Sequence, residues 1–344
     1  MAFVRTVLGD IAPEELGVTL PHEHLLIDLK PIFSEPKEAT EIALAYKPVT
    51  IENLGWIRRN YAGNLANIGL YDEEMTIEEA LRYKRAGGCS IVETTGIDQG
   101  RDPMGLARIA RATGLNIVMG SAYNVDSFHP PGMDNKDEDE LVEEMVGDVT
   151  VGAGGSGIRS GIIGEVGCSW PSTQNERKVL RAAARAQRHT GAALTIHPGR
   201  HPTAPLEILA IIQEAGGEIK RTIMGHLGRT IFDLKAFKEL AGAGCYLEYD
   251  QFGLESSYYP FGKIDLPNDG RRVDIIKFLV SEGHLDQILV SHDIAYKTSL
   301  VRYGGYGYAH ILENVVPLMR RKGLQEEQIQ AILVGNPQQA LTFV

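Results

Sequence analysis

The amino-acid sequence predicts an α/β fold of the (β/α)8 TIM-barrel type, one domain over residues 1–344, with a short β-hairpin arm ahead of the first barrel strand. Three observations carry that expectation. Short apolar runs alternate with amphipathic helical stretches, as in a parallel sheet covered on both faces. The length of 344 residues exceeds the usual single domain but suits an α/β barrel. Residues able to bind metal stand at the carboxyl ends of several proposed strands, where a barrel collects its chemistry.

Phe3 to Leu8, then Gly9-Asp10, reads as the hairpin arm. The first barrel strand ends in Pro21-His22-Glu23-His24. Side chains two apart on a strand share a side, so His22 and His24 aim at one point and Glu23 points away. A long stretch without a clean strand follows, containing Trp56 and Tyr61; it reads as a helical excursion that covers part of a site. Thr76-Ile-Glu-Glu79 reads as a capping box opening a helix that stops at Gly87-Gly88.

From there the pattern is regular. Strands are expected at Cys89 to Thr95, Asn116 to Ala122, Gly161 to Glu165, Ala193 to His197, Thr222 to His226, Cys245 to Tyr249 and Ile288 to Asp293. Between and after them come helices at Met104 to Thr113, Asp137 to Val149, a Thr173-capped segment to Thr190, Pro205 to Ala215, Asp233 to Ala241, Arg272 to Gly283 and His310 to Lys322. A last helix near Glu326 to Leu333 is expected on the outside.

Strand one thus ends in His22 and His24, strand four in Glu165, strand five in His197, strand six in His226 and strand eight in Asp293. Glu165 to His197 and His197 to His226 are 32 and 29 residues apart, one β/α unit each; His226 to Asp293 is 67, two units. Four imidazoles and two carboxylates are too many donors for one tetrahedral ion. Two divalent ions fit better, with His22, His24 and Asp293 on one, His197 and His226 on the other, and Glu165 between them. Zinc is the expected metal, although Mn, Co and Fe accept the same ligands. A metal-bridging hydroxide, ionised near pH 7, would attack an acyl carbonyl, and Asp293 would take the proton.

The constellation resembles the amidohydrolase superfamily and, within it, the phosphotriesterase family, over nearly the whole chain. The pieces are Pro21-His22-Glu-His24, Gly164-Glu165-Val-Gly167, Thr195-Ile-His197-Pro, Gly225-His226-Leu-Gly and Ser291-His-Asp293. Phosphotriesterases and related lactonases bridge their metals with a carboxylated Lys on strand four, where this chain has Glu165. Glu165, Gly167-Cys-Ser-Trp170, His197-Pro-Gly-Arg200 and Leu247-Glu-Tyr-Asp250 are similar instead to the phosphotriesterase-related branch. That resemblance implies hydrolysis of a small anionic amide of the N-acetyltaurine type. The lactonases' Asp-Arg-Tyr-Gly after strand seven is Asp250-Gln251-Phe252-Gly253 here, which lowers the phosphotriester or lactone alternative. A metal-containing binding protein without catalysis is the alternative of another class.

Arg200 and His201 follow His197 directly and are candidates to hold an anionic substrate group, Arg200 bidentately. Tyr258, and Tyr303 and Tyr306 in a glycine-rich run reaching Tyr308, are candidates for an amphipathic lid. Cys168 has no activating base nearby in sequence and reads as structural, and His292 as a packed core histidine. Gly152-Ala-Gly-Gly-Ser-Gly157 matches G-x-G-x-x-G but precedes a strand instead of opening a helix, so it is no dinucleotide site. No Walker A, H-E-x-x-H or G-x-S-x-G occurs.

Hydrophobic residues make up 43% and charged residues 23%, ordinary for a globular enzyme acting on a small molecule. A formal net charge of −11 and a pI near 5.4 argue against nucleic acid or an anionic membrane as partner. No apolar run reaches membrane-spanning length, and no secretory signal is evident. Three widely spaced cysteines make no disulfide framework and fit a reducing cytoplasm. Exposed helices would allow a homodimer.

Overall fold

The computed structural model describes residues 2–343. An antiparallel hairpin, β1 (Val4–Thr6) and β2 (Gly9–Ile11), opens the chain as the sequence predicts. β3 (Thr19–Glu23) follows. The excursion after it carries the two-residue pair β4 (Ile27–Asp28) and β5 (Gly69–Leu70), with α1 (Ala39–Ala45) and α2 (Leu54–Ile57) between them. Then come α3 (Glu73–Arg85), β6 (Ser90–Glu93), α4 (Pro103–Thr113), β7 (Asn116–Met119), α5 (Glu138–Thr150), β8 (Ile162–Gly167), α6 (Gln174–Thr190) and β9 (Ala193–His197). The chain continues through α7 (Ala204–Glu214), β10 (Thr222–Met224), α8 (Leu227–Thr230), α9 (Leu234–Gly242), β11 (Tyr246–Tyr249), α10 (Asp269–Ser281) and β12 (Ile288–Val290). It ends with α11 (Val316–Arg321), α12 (Glu326–Gln330) and α13 (Asn336–Leu341).

The parallel strands form two sheets, β3-β6-β7 and β8-β9-β10-β11-β12. The sheets meet at both edges. Gly161 N donates to Met119 O at 2.9 Å and Gly164 N to Ser121 O, joining β8 to β7. Asp293 N donates to His22 O at 3.3 Å and His22 N to Ser291 Oγ at 3.1 Å, joining the end of β12 to β3. The eight strands therefore close into a (β/α)8 barrel. Val92, Val118, Ile162, Ala193, Ile223, Tyr246 and Leu289, one from each strand β6 to β12, pack in its interior with Val4 of the hairpin. Their strand neighbours Ile91, Ile117, Ile163, Leu194, Met224, Leu247 and Ile288 pack outward under the helices. This alternation is why the strands read as continuous apolar runs.

Several helix boundaries differ from the sequence reading. α10 starts at Asp269, three residues before the expected Arg272, because Asn268 accepts from Arg271 N at 2.8 Å. Three others also have a local reason. α3 is capped by Asp72, whose carboxylate accepts from Met75 N at 3.1 Å, and not by Thr76. Thr76 instead donates to Leu25 O at 3.0 Å, and Glu79 accepts from Val301 N and Arg302 N at 3.0 and 2.9 Å. The helix expected from His310 begins as a wide π turn, Ile311–Val315, and becomes α-helical only at Val316. Pro317 lacks the N–H a regular turn needs, and the wide turn accommodates it. The last helix likewise does not stop at Leu333; a π turn, Ala331–Gly335, leads through Pro337 into α13.

Candidate metal centre

The carboxyl ends of the strands face one cavity of about 660 Å³, the size range of pockets for drug-sized ligands. Glu165 lies at its floor. β8 and β9 pair Ile163 with Leu194, then Val166 with Ile196, so Gly164 and Glu165 bulge opposite the single residue Thr195. A Cβ on Gly164 would sit 2.4 Å from Thr195 O, so the bulge requires glycine there. Glu165 Oε2 then lies 3.1 Å from His22 Nε2, 3.2 Å from His197 Nδ1 and 3.0 Å from His226 Nε2. Its Oε1 accepts from Asn124 Nδ2 at 2.7 Å, and Asn124 N donates to Asp98 at 3.0 and 3.1 Å. Burial pushes Asp98 up to about 7.

Asp293 stands at the other side of the group. Its Oδ1 is 3.3 Å from His24 Nε2 and its Oδ2 is 3.7 Å from His226 Nδ1. It has φ +57°, a conformation that Asp tolerates better than most side chains. Glu23, the residue expected to point away, holds it there. Glu23 Oε1 accepts from Ser291 Oγ (2.8 Å), His292 N (2.9 Å) and His292 Nδ1 (2.7 Å), and Oε2 from Ile294 N (3.1 Å). A buried carboxylate of β3 thus grips the chain on both sides of Asp293. Tyr308, expected in the lid, is buried and donates to His24 O at 2.6 Å.

Two carboxylates of the strand-seven segment, Glu248 and Asp250, orient the imidazoles from behind. His22 Nδ1 is 3.1 Å from Glu248 Oε2, and His226 Nδ1 is 3.0 Å from Asp250 Oδ1. Asp250 Oδ2 also accepts from His226 N at 2.7 Å; a Cβ on Gly225 would lie 2.9 Å from that oxygen, so glycine leaves it room. Thr95 Oγ1 plays the same part for His24 Nδ1, at 2.9 Å. Such partners fix which ring nitrogen is free to bind a metal. Burial raises Glu248 to about 7; burial also opposes ionisation of Asp250, yet His226 and His22 hold it near 2. Burial works against the charged form of Glu165 too, but His197 and His22 outweigh it and keep that carboxyl well below its ordinary range.

The donor set passes a test of fit for divalent metal. His22 Nε2 is buried and makes no hydrogen bond, although a carboxylate oxygen lies beside it. His22, Glu165 and His226 form one group close enough to share an ion, and His22, His24 and Asp293 another.

The remaining candidates separate. Arg200 and Tyr306 line the cavity. Arg200 Nε donates to Tyr259 Oη at 2.8 Å, and its guanidinium lies 5.2 Å from the Phe261 ring centre. His201 does not face the cavity: its ring stacks at 3.5 Å on Trp170. Tyr258 points out to solvent, 66% exposed, and the neighbouring Tyr259 takes the lining position. Tyr303 is half-buried outside the lining, in a turn where Gly305 N and Gly307 N bond back to Leu300 O and Ser299 O at 2.9 Å each. The glycines there allow close packing, not a free strap; a Cβ on Gly305 would meet Ser299 backbone at 2.1 Å. Cys168 and Cys245 are buried, which pushes both thiols up, Cys245 to about 12. His292 is buried as expected, and its Nε2 accepts from Ile311 N at 3.1 Å.

A profile of the Phosphotriesterase family matches residues 2–341. A phosphotriesterase-related protein of Nematostella vectensis is 45% identical, over 98% of each chain. An N-acetyltaurine hydrolase of Homo sapiens is also 45% identical, over 99% of this chain and 98% of its own. Among solved structures, a resiniferatoxin-binding protein from Rhodobacter sphaeroides superposes with a TM-score of 0.96 at 35% identity, over 98% of this chain and 94% of that one.

Proposed function

The chain belongs to the phosphotriesterase family, and from that premise we propose that it is a binuclear, zinc-dependent hydrolase of small anionic amides of the N-acetyltaurine type. The observation that carries this reading is Glu165 Oε2, set within 3.2 Å of three imidazole nitrogens on three different strands. His22, His24 and Asp293 would hold one ion, His197 and His226 the other, with Glu165 between. When bound, the ions supply an ionised water near neutral pH and a polarised acyl oxygen. Asp293, open to the cavity, accepts the proton that the water gives up. Glu248, Asp250 and Thr95 hold the imidazoles in place, and Asn124 holds Glu165. Arg200 offers a cation at the cavity wall for the anionic end of the amide. The three free cysteines support a reducing, cytoplasmic setting for this hydrolase.

A second reading has one specific support. The Rhodobacter relative is named for binding, and the cavity here has apolar walls that include Ile27, Leu29, Phe128 and Phe252. One experiment separates the readings: zinc-loaded protein is assayed against N-acetyltaurine, a lactone and an aryl phosphotriester. Efficient turnover of the amide alone is expected. Preference for the lactone or phosphotriester would reassign the substrate, and no turnover of any of the three would leave a binding protein.

A further inference from the structure

Arg229 is a buried cation without a counter-charge. It follows His226 by three residues, at the end of the short helix α8, and is 2% exposed. Its Nη1 donates to Pro198 O at 3.3 Å, and its Nη2 faces His197 Nε2 at 2.9 Å. Among the described residues no carboxylate pairs with it. Asp250 and Asp293 act only at longer range, and Arg200 adds a second positive charge nearby. An unpaired buried ion is costly, so guanidinium groups in such places serve an anion.

The contact with His197 holds only while Nε2 carries no proton. A neutral imidazole has one lone pair. A ring that gave its Nδ1 lone pair to a bound ion would carry its proton on Nε2 and offer Arg229 nothing to accept a hydrogen bond. A second polar group in the same wall lacks a partner. Tyr61 lines the cavity, is 4% exposed, and its hydroxyl makes no hydrogen bond. Its ring packs on Tyr296 at 4.9 Å and on Phe261 at 5.8 Å, and Phe261 in turn lies under Arg200. Arg229, Arg200 and the Tyr61 hydroxyl thus converge on one side of the cavity.

We propose that Arg229, with Arg200 and the Tyr61 hydroxyl, forms the seat for the substrate's anion, and that Arg229 is its main specificity-determining residue. The seat's position also sets substrate length. Glu165 and Arg229 touch opposite nitrogens of the His197 ring, so the seat stands one imidazole width from the metal-binding group. That separation suits a sulfonate or carboxylate carried a short linker away from the scissile amide, not one attached directly to the reacting carbon. The proposal rests on the amide-hydrolase reading and sharpens it.

The test uses zinc-loaded full-length protein and two readouts. Calorimetry measures binding of ethanesulfonate and of propionate, which have no bond to cleave. Kinetics compare N-acetyltaurine with its neutral methyl sulfone analogue. Arg229→Gln is expected to weaken both anions by about tenfold or more, the scale of a charge-assisted contact, and to raise KM for N-acetyltaurine alike. KM for the neutral analogue is expected to stay within about twofold. Tyr61→Phe should weaken the anions by a few-fold, with the neutral analogue again unchanged. If Arg229→Gln does not fold, Arg229→Lys and Tyr61→Phe carry the same test, each with a several-fold loss expected for anions only. Anion binding within twofold of the parent in the folded variants, or equal losses for charged and neutral substrates, overturns the seat. Failure of the parent to hydrolyse any amide would sink the hydrolase reading, while the ethanesulfonate measurement would still decide the seat.

Discussion

Asp293 is where proposed ligand and proton acceptor coincide, and a single substitution separates the two roles. Asp293→Asn keeps an oxygen for the ion but accepts no proton at neutral pH. Metal content should be retained and kcat should fall by roughly 10²-fold, the scale of general-base loss; kcat within a few-fold of the parent would remove Asp293 from that role. The cysteines give a plainer check. In folded protein a thiol reagent should modify Cys89 alone, because Cys168 and Cys245 are buried, and their burial disfavours the reactive thiolate. Rapid labelling of all three would contradict the packing around β8 and β11. At this scale the sequence was informative about residues whose position along the chain reveals their job. His22, His24, Glu165, His197, His226 and Asp293 stand out because each lies at, or within three residues of, the carboxyl end of a strand. Arg229, Asn124 and Asp98 carry no such mark. Their roles come from a partner supplied by a distant strand, as when Asn124 reaches Glu165, and no spacing rule announces that.

Among the elements, the connection between β3 and β12 is the most exposed to a single change. Glu23 accepts four hydrogen bonds from the segment Ser291 to Ile294, within which Asp293 lies. In Glu23→Gln the amide nitrogen faces a donor, leaving a buried mismatch of about 1–3 kcal/mol. The variant should show a lower Tm and a lower kcat with KM for N-acetyltaurine little changed, read by thermal denaturation and steady-state kinetics. An unchanged kcat would mean that Asp293 is positioned without Glu23. Regular elements were legible where local signals agree. β9 falls at Ala193–His197 as expected, and α6 begins after Thr173 because that residue and Glu176 cap each other. The start of α3 was misplaced because Thr76 and Glu79 fit a capping box by type but are engaged with Leu25 and with the Val301 loop. The π turns before Val316 and Asn336 were hidden because a proline inside a helical pattern reads as a break, while the structure absorbs it by widening a turn.

For the whole molecule, the closed barrel divides labour between its ends. The hairpin seals one end with Val4 among the interior side chains, and the other end carries the cavity. Glu165, Glu248 and Asp250 are all buried among the histidines there, so a bound cation should stabilise the fold as well as serve the reaction. Ligand at 100 times its Kd adds about 2.7 kcal/mol. Chelation should therefore lower Tm by several degrees, and zinc should restore it. A Tm indifferent to chelator would mean that the buried cluster balances its charge without metal. The central claim is a two-ion centre, and titrating metal-free protein with zinc while following amide turnover tests it most directly. Activity should rise to a plateau at two equivalents per chain, with elemental analysis of the loaded protein also returning two. A plateau at one equivalent, with one ion per chain in fully active protein, would contradict it.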